Sequence, residues 1–306
     1  MTPSDLRVIS PVSITDAMFV SSTIAETDYA AWSSGTAYVV GDRVRYVSTD
    51  VHKVFESIQN GTNKNPTTET TYWTEVGPTN RWKMFDMASG TVSTAASPVE
   101  VVIEPGRVDS IALLDVDAHT ARVRLSTTAE GTFYDETYTL TGAQDVIEDW
   151  YDYFYEPIGT RSALVLSGLA QIEDVTITLT LTRTAGNVSL GNFVVGTSTY
   201  LGLAEHGVRT GITDYSSKSE DAFGRVTLVE RAYAKRLNIT AKVRKNRVDA
   251  VLRKLAALRA SLCVLSTGNP LTSYDALQVF GWLRDFEEII SGPEWSTLSI
   301  DFRGIA

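Results

Sequence analysis

Alternation of apolar and polar residues at a period of two runs through much of the chain, and one stretch repeats at the helical period instead. The segment Thr176 to Thr182 alternates strictly, with Ile177, Leu179 and Leu181 on one side and threonines on the other, the pattern of a half-buried strand. Val99 to Ile103, Asp109 to Val116 and Ala121 to Leu125 are short and rich in β-branched residues, with Pro105-Gly106 and Gly142 as breaks. Several short strands of this kind predict an antiparallel β-sandwich over residues 79–195. Val8, Ile9, Val12 and Ile14 predict a β segment in residues 1–27 that belongs to the structural core. Val226 to Val243 reads as extended. Asn246 then reads as an N-cap, followed by Val248, Val251, Leu252, Leu255, Leu258 and Leu262 at helical spacing. Gly268-Asn269-Pro270 stops the pattern, and Cys263 to Leu265 fits either the helix end or a strand. Ala276 to Ile290 and Trp295 to Phe302 are extended runs separated by Gly292-Pro293. Residues 196–306 therefore predict an α+β domain with one amphipathic helix on a sheet.

The texture differs between residues 28 and 78. Tyr29, Trp32, Tyr38, Tyr46, Phe55, Tyr72 and Trp73 crowd into it, while turn residues cluster at Ser33-Ser34-Gly35, Gly41-Asp42 and Asn60 to Pro66. With few aliphatic residues, its core must be built from rings, here Trp32, Tyr38 and Trp73 with Val44. About 50 residues is near the lower limit for independent stability, so this unit leans on a neighbour. The fold class is mainly β and multidomain, with a small aromatic β-module inserted near the N-terminus.

Composition narrows the function. The 306 residues carry a net charge of −10, which argues against general nucleic-acid binding. A single cysteine, Cys263, excludes a disulfide framework and reads as a small core residue. No apolar run reaches the length of a membrane span, and Asp5 and Asp16 near the start predict no cleavable signal peptide. Charge is uneven: residues 225–259 hold eleven basic residues against Glu230 and Asp249, a local net of +9 that leaves −19 elsewhere. Such a strip is either a solvated face or a contact with the acidic surface of another copy or partner. Lys245, Arg247, Arg253 and Lys254 are the intersubunit candidates. DNA is disfavoured because only Tyr233 interleaves these charges with an aromatic ring.

Catalytic signatures are missing. The chain has no phosphate-binding glycine loop, nucleophile elbow or H-E-x-x-H motif, and His52, His119 and His206 are far apart. Asp115, Asp117 and His119 alternate and would share one strand face, where they could ligate a metal. An EF-hand is excluded by Thr120 and Ser126 at its glycine and glutamate positions. Solvated strand residues are the plainer reading, and no metal or cofactor is expected. Glu148-Asp149 and Glu287-Glu288 would serve as glycosidase acids only with an opposing carboxylate across a cleft.

Two resemblances cover most of the chain. The run Ala31-Trp32-Ser33-Ser34-Gly35-Thr36-Ala37-Tyr38-Val39-Val40-Gly41-Asp42-Arg43-Val44-Arg45-Tyr46, with Tyr72-Trp73-Thr74, resembles the chitin-binding type 3 (carbohydrate-binding family 5/12) module. Members that bind chitin carry further aromatics where this chain has Glu56 to Gly61. The resemblance implies Tyr46, Tyr72 and Trp73 as candidate sugar platforms, against the alternative that these rings are core. Leu190-Gly191-Asn192-Phe193-Val194-Val195-Gly196, Tyr200-Leu201-Gly202, Gly211-Ile212-Thr213-Asp214-Tyr215-Ser216, Phe223-Gly224 and Arg231-Ala232-Tyr233 resemble a run in tail-tip proteins of tailed bacteriophages. Pro11 to Met18, leading into the aromatic module, is similar to the same proteins, and residues 79–195 resemble galactose-binding-like sandwiches in texture.

These resemblances imply a structural protein of the distal tail or baseplate, localised in the virion. Its partners would be copies of itself in a ring, the tail tube, the hub, other baseplate proteins and host surface glycan. Glycine-rich residues 186–211 would follow irregular paths along a neighbour. The alternatives are a carbohydrate-active enzyme, or a free lectin, with an appended binding module.

Overall fold

The computed structural model describes residues 4–141, 149–155, 159–220, 223–268, 275–290 and 292–305. The expectations at Gly142, Glu148 and Asn269-Pro270 lie outside the described residues. The chain is mainly β, as its alternating pattern predicts. It opens with β1 (Ser4–Pro11) and β2 (Phe19–Ser22), then enters the aromatic module: β3 (Ala37–Tyr38), β4 (Arg43–Ser48), β5 (Val51–Ser57), β6 (Gly61–Thr62) and β7 (Trp73–Pro78). There β4, β5 and β7 form an antiparallel sheet beside the β3–β6 ladder. Gly41, at φ +93°, makes the turn into β4, where Asp42 accepts a hydrogen bond from the Val39 amide. Tyr38, Val44, Phe55 and Trp73 are the buried core, and Trp32 packs on it half-buried. Phe55 thus joins the predicted core and Trp32 sits at its margin.

The sandwich follows with β8 (Ser93–Ala96), β9 (Val99–Ile103), β10 (Ser110–Asp117), β11 (Thr120–Thr127) and β12 (Gly131–Thr139). After α1 (Trp150–Tyr155) come β13 (Ala163–Ser167), β14 (Thr176–Thr182) and β15 (Asn187–Ala204). One sheet runs β12-β11-β14-β9-β2; facing it are β13, β10, β15 and β8. Ile177, Leu179 and Leu181 point inward to meet Ile111, Leu113, Phe193 and Val195 from the opposite sheet, the aligned packing of two half-buried sheets. Val194 and Ala112 use the other side of the second sheet, packing with Ile9, Val264 and Phe280 in a further core. Residues 190–196 are therefore buried on both faces.

The remaining elements are β16 (Arg209–Asp214), β17 (Ser217–Glu220), β18 (Val226–Val229), β19 (Tyr233–Arg244), α2 (Val248–Ala257), β20 (Leu262–Thr267), β21 (Val279–Ile289) and β22 (Trp295–Gly304). Six strands close on themselves in the order β15-β1-β20-β21-β22-β19. The ring shuts where Leu203 and Ala204 pair with Lys242 and Ala241. Leu6, Val8, Leu201, Ile239, Ile300 and Phe302 fill this barrel, and α2 presses Val251 and Leu255 onto it. Closure removes the edges that an open sheet would expose.

Four expectations need correction. The boundary at 195/196 falls inside β15, whose first half belongs to the sandwich and second half to the barrel. Residues 187–204 form one continuous strand and not an irregular path. Asn246 lies in a 3-10 turn, Lys245–Arg247, and the helix starts at Val248 with Arg247 at its N-cap and no side-chain cap. Leu262 belongs to β20, so the apolar period outlasts the helix.

Candidate interaction surfaces

The three rings proposed as sugar platforms are engaged within the module. Trp73 is 4% exposed, stands edge-on to Tyr38 at 5.1 Å, and its Nε1–H donates to the Lys64 carbonyl at 2.9 Å. It presents no face to a ligand. Tyr72 is half-buried and carries the Lys64 ammonium over its ring at 4.6 Å. Tyr46 packs against Trp32 at 5.9 Å and receives a hydrogen bond from Asn65. A pyranose needs an open ring face; Trp73 is core, and Tyr46 and Tyr72 are partly buried at its margin.

The module is held to the sandwich by a polar clamp. His52, on β5, places its two ring nitrogens 2.7 Å from Glu26 Oε1 and 2.6 Å from Asp16 Oδ1. Glu26 also accepts a hydrogen bond from the Thr79 hydroxyl and pairs with Arg81. Asp16 and Asp50 exchange backbone-to-carboxylate hydrogen bonds. Both chain crossings into the module are thereby tied together, which is how so small a unit leans on its neighbour.

The basic candidates cluster on the barrel. Lys245 and Arg247 lie in the turn before α2, and Arg253 and Lys254 lie on α2 itself. Arg247 sits over the Tyr200 ring at 5.1 Å and Arg253 Nε donates to the Asp249 carbonyl. None of the four makes an ion pair among the described residues, whereas Lys242 pairs with Glu205. Burial raises the Tyr200 phenol, with Asp5 adding to the rise and Arg247, Arg244 and Arg7 opposing it.

Asp115, Asp117 and His119 do not converge. Asp115 has φ +55°, which breaks the alternation; Asp117 pairs with Arg183, and His119 Nδ1 contacts the Thr184 hydroxyl at 2.8 Å. Among the described residues, no three His, Cys, Asp or Glu side chains are grouped to hold a metal. Glu287 and Glu288 lie on β21 and face different directions. Burial, with the Asp249 charge adding to it, pushes the Glu288 carboxyl above the usual range. Both Glu288 carboxylate oxygens are shielded and without a hydrogen-bond partner. Cys263 is buried and its thiol is pushed up to about 12 by desolvation, which leaves it inert.

Two surfaces escaped the sequence reading. The strands β17 and β18 form a separate two-stranded arm beyond the sheet edge at β16. On it Val226, Leu228 and Val229 are exposed, Leu228 by 68%, with Ile212 and Tyr215 exposed at its base. Val226 to Val229 reads only as extended, so only tertiary structure reveals its exposure. The second is α1, where Trp150, Tyr151, Phe154 and Tyr155 are all exposed. Five aromatics in six residues, between Asp149 and Glu156, were the available signal. No helix among the described residues is long and apolar enough to cross a membrane.

Comparison with protein-family models, with curated proteins and with solved structures returned no match.

Proposed function

We propose that this chain is a non-catalytic structural subunit of an oligomeric ring at the tip of a bacteriophage tail. On this reading it joins the tail tube to hub and baseplate partners, with the aromatic module carried on its outside as a retained scaffold. The observation that carries the self-association is the β17–β18 arm. A two-stranded hairpin is marginal in water, and one that exposes Val226, Leu228 and Val229 gains stability by covering those side chains on another chain. The unpaired Lys245, Arg247, Arg253 and Lys254 supply a surface complementary to the acidic remainder of a neighbouring copy. Heterologous ring contacts require two such different patches on every subunit. The phage assignment itself rests on the glycine-rich resemblance between residues 190 and 233.

The experiment is light scattering and negative-stain imaging of the pure chain, followed by charge reversal of Lys245, Arg247, Arg253 and Lys254 to Glu. The expected result is a ring that the fourfold variant cannot form and a variant that fails to enter particles. A monomeric wild type absent from virions overturns the reading.

A further inference from the structure

We propose that the cleft between the sandwich and the barrel binds a mono- or disaccharide, at a site separate from the aromatic module. The inference does not depend on the assembly reading. The cleft holds about 480 Å3 and its lining includes Asp115, Asn192, Tyr233, Lys235, Phe280 and Ile305, a size suited to a small ligand.

The backbone is adapted at this point. Asp115 occupies the left-handed region at φ +55° in the interior of β10. Its neighbours still pair with β15, Leu114 opposite Asn192 and Val116 opposite Leu190. Gly191 therefore faces Asp115, and a Cβ there would lie 2.6 Å from the Asp115 Cβ and 3.2 Å from its Oδ2. Glycine makes room for the aspartate, and the local departure from regular strand geometry sets where the carboxylate stands.

The wall of the cleft also carries a buried acceptor without a partner. Asn192 is only 5% exposed; its Nδ2 donates to the Ala88 carbonyl at 2.9 Å, which fixes the amide orientation and leaves Oδ1 without a partner. A buried acceptor in that state calls for an explanation. Asp115 and the half-buried Lys235 make no ion pair among the described residues.

The mixture of groups selects the ligand class. One carboxylate is too few for a divalent cation, and the same carboxylate repels phosphate. An apolar ligand would strip water from Asp115 and Lys235 without repayment. A neutral sugar meets none of these objections. Each hydroxyl both donates and accepts, so it can serve carboxylate and ammonium alike through charge-assisted hydrogen bonds. Its C–H face can lie on Tyr233, which is 55% exposed.

The test is saturation-transfer difference NMR of the full chain with galactose, N-acetylglucosamine, glucose and rhamnose as probes at millimolar concentration. At least one sugar is expected to receive saturation, and Asp115→Asn and Lys235→Met should each weaken its binding about tenfold, the scale of one charge-assisted hydrogen bond. Asparagine tolerates the left-handed backbone and Lys235→Met leaves the strand pairing intact, so an unchanged melting temperature checks both variants. Absence of transfer from every sugar overturns the proposal. So does transfer that both folded variants retain, which would put the sugar elsewhere, or transfer to free alanine in place of the sugars.

Discussion

The imidazole of His52 lies on the indole of Trp82, with ring centroids 4.4 Å apart and 20° between the planes. Trp82 belongs to the sandwich side, where it packs against Phe19 and Phe85. The stack and the two carboxylates at the imidazole edges join the aromatic module to the body through a single side chain. His52→Ala would leave Asp16 and Glu26 facing each other without the ring between them. The expected loss is about 1–3 kcal/mol, confined to the attachment. Hydrogen exchange should show faster exchange over residues 24–28 and 79–82, with β9, β11 and β14 unaffected.

Gly196 is where β1, β10 and β15 meet. A Cβ at this position would stand 2.1 Å from the Ser10 carbonyl oxygen and 3.1 Å from the Pro11 Cα. Both obstacles are backbone, so Gly196→Ala must move a strand. Overpacking of this kind costs roughly 3 kcal/mol, or about 5 °C in melting temperature for a chain this size. Calorimetry would read it.

Glu288 gives a pH dependence with a definite sign. Its carboxyl is raised in the folded state by burial and then by Asp249, so the folded chain holds this proton more tightly than the unfolded one. The stability associated with the protonated form is present below the unfolded carboxyl value and is lost as pH rises through the folded one. Glu288→Gln should therefore raise the melting temperature at neutral pH by roughly one or two degrees. That difference should disappear below about pH 4. Thermal melts across the acid range check it.

Cys263 should be unreactive in the native protein. Its thiol is buried and held near 12 by desolvation, so the nucleophilic thiolate is scarce at neutral pH. Ellman's reagent is expected to detect no thiol in buffer and one per chain in denaturant.

The arm offers a cleaner test of association than the basic strip. Replacing Val226, Leu228 and Val229 with threonine keeps β-forming side chains while removing most of the exposed apolar surface. Light scattering should then find smaller particles than for the wild type, with an unchanged melt of the sandwich and barrel.

Local pattern determined a good deal of this protein. The alternation at Thr176 to Thr182, the β-branched run at Val99 to Ile103 and the apolar stripe of α2 all follow from side chains within a few residues of one another. Each stands in the structure with its expected buried face. The burial of Trp73, the closure of the barrel and the cleft beside Asp115 were decided elsewhere. The strand β1 pairs with β15 and β20, about two hundred or more residues away, and no short-range period records which distant edge a strand will meet. The strand β15 is apolar on both faces because two separate cores claim it, a fact that belongs to neither half alone. Exposure at Val226 to Val229 arises in the same way: the residues are strand-forming wherever they lie, and only the position of β16 at the sheet edge leaves them uncovered.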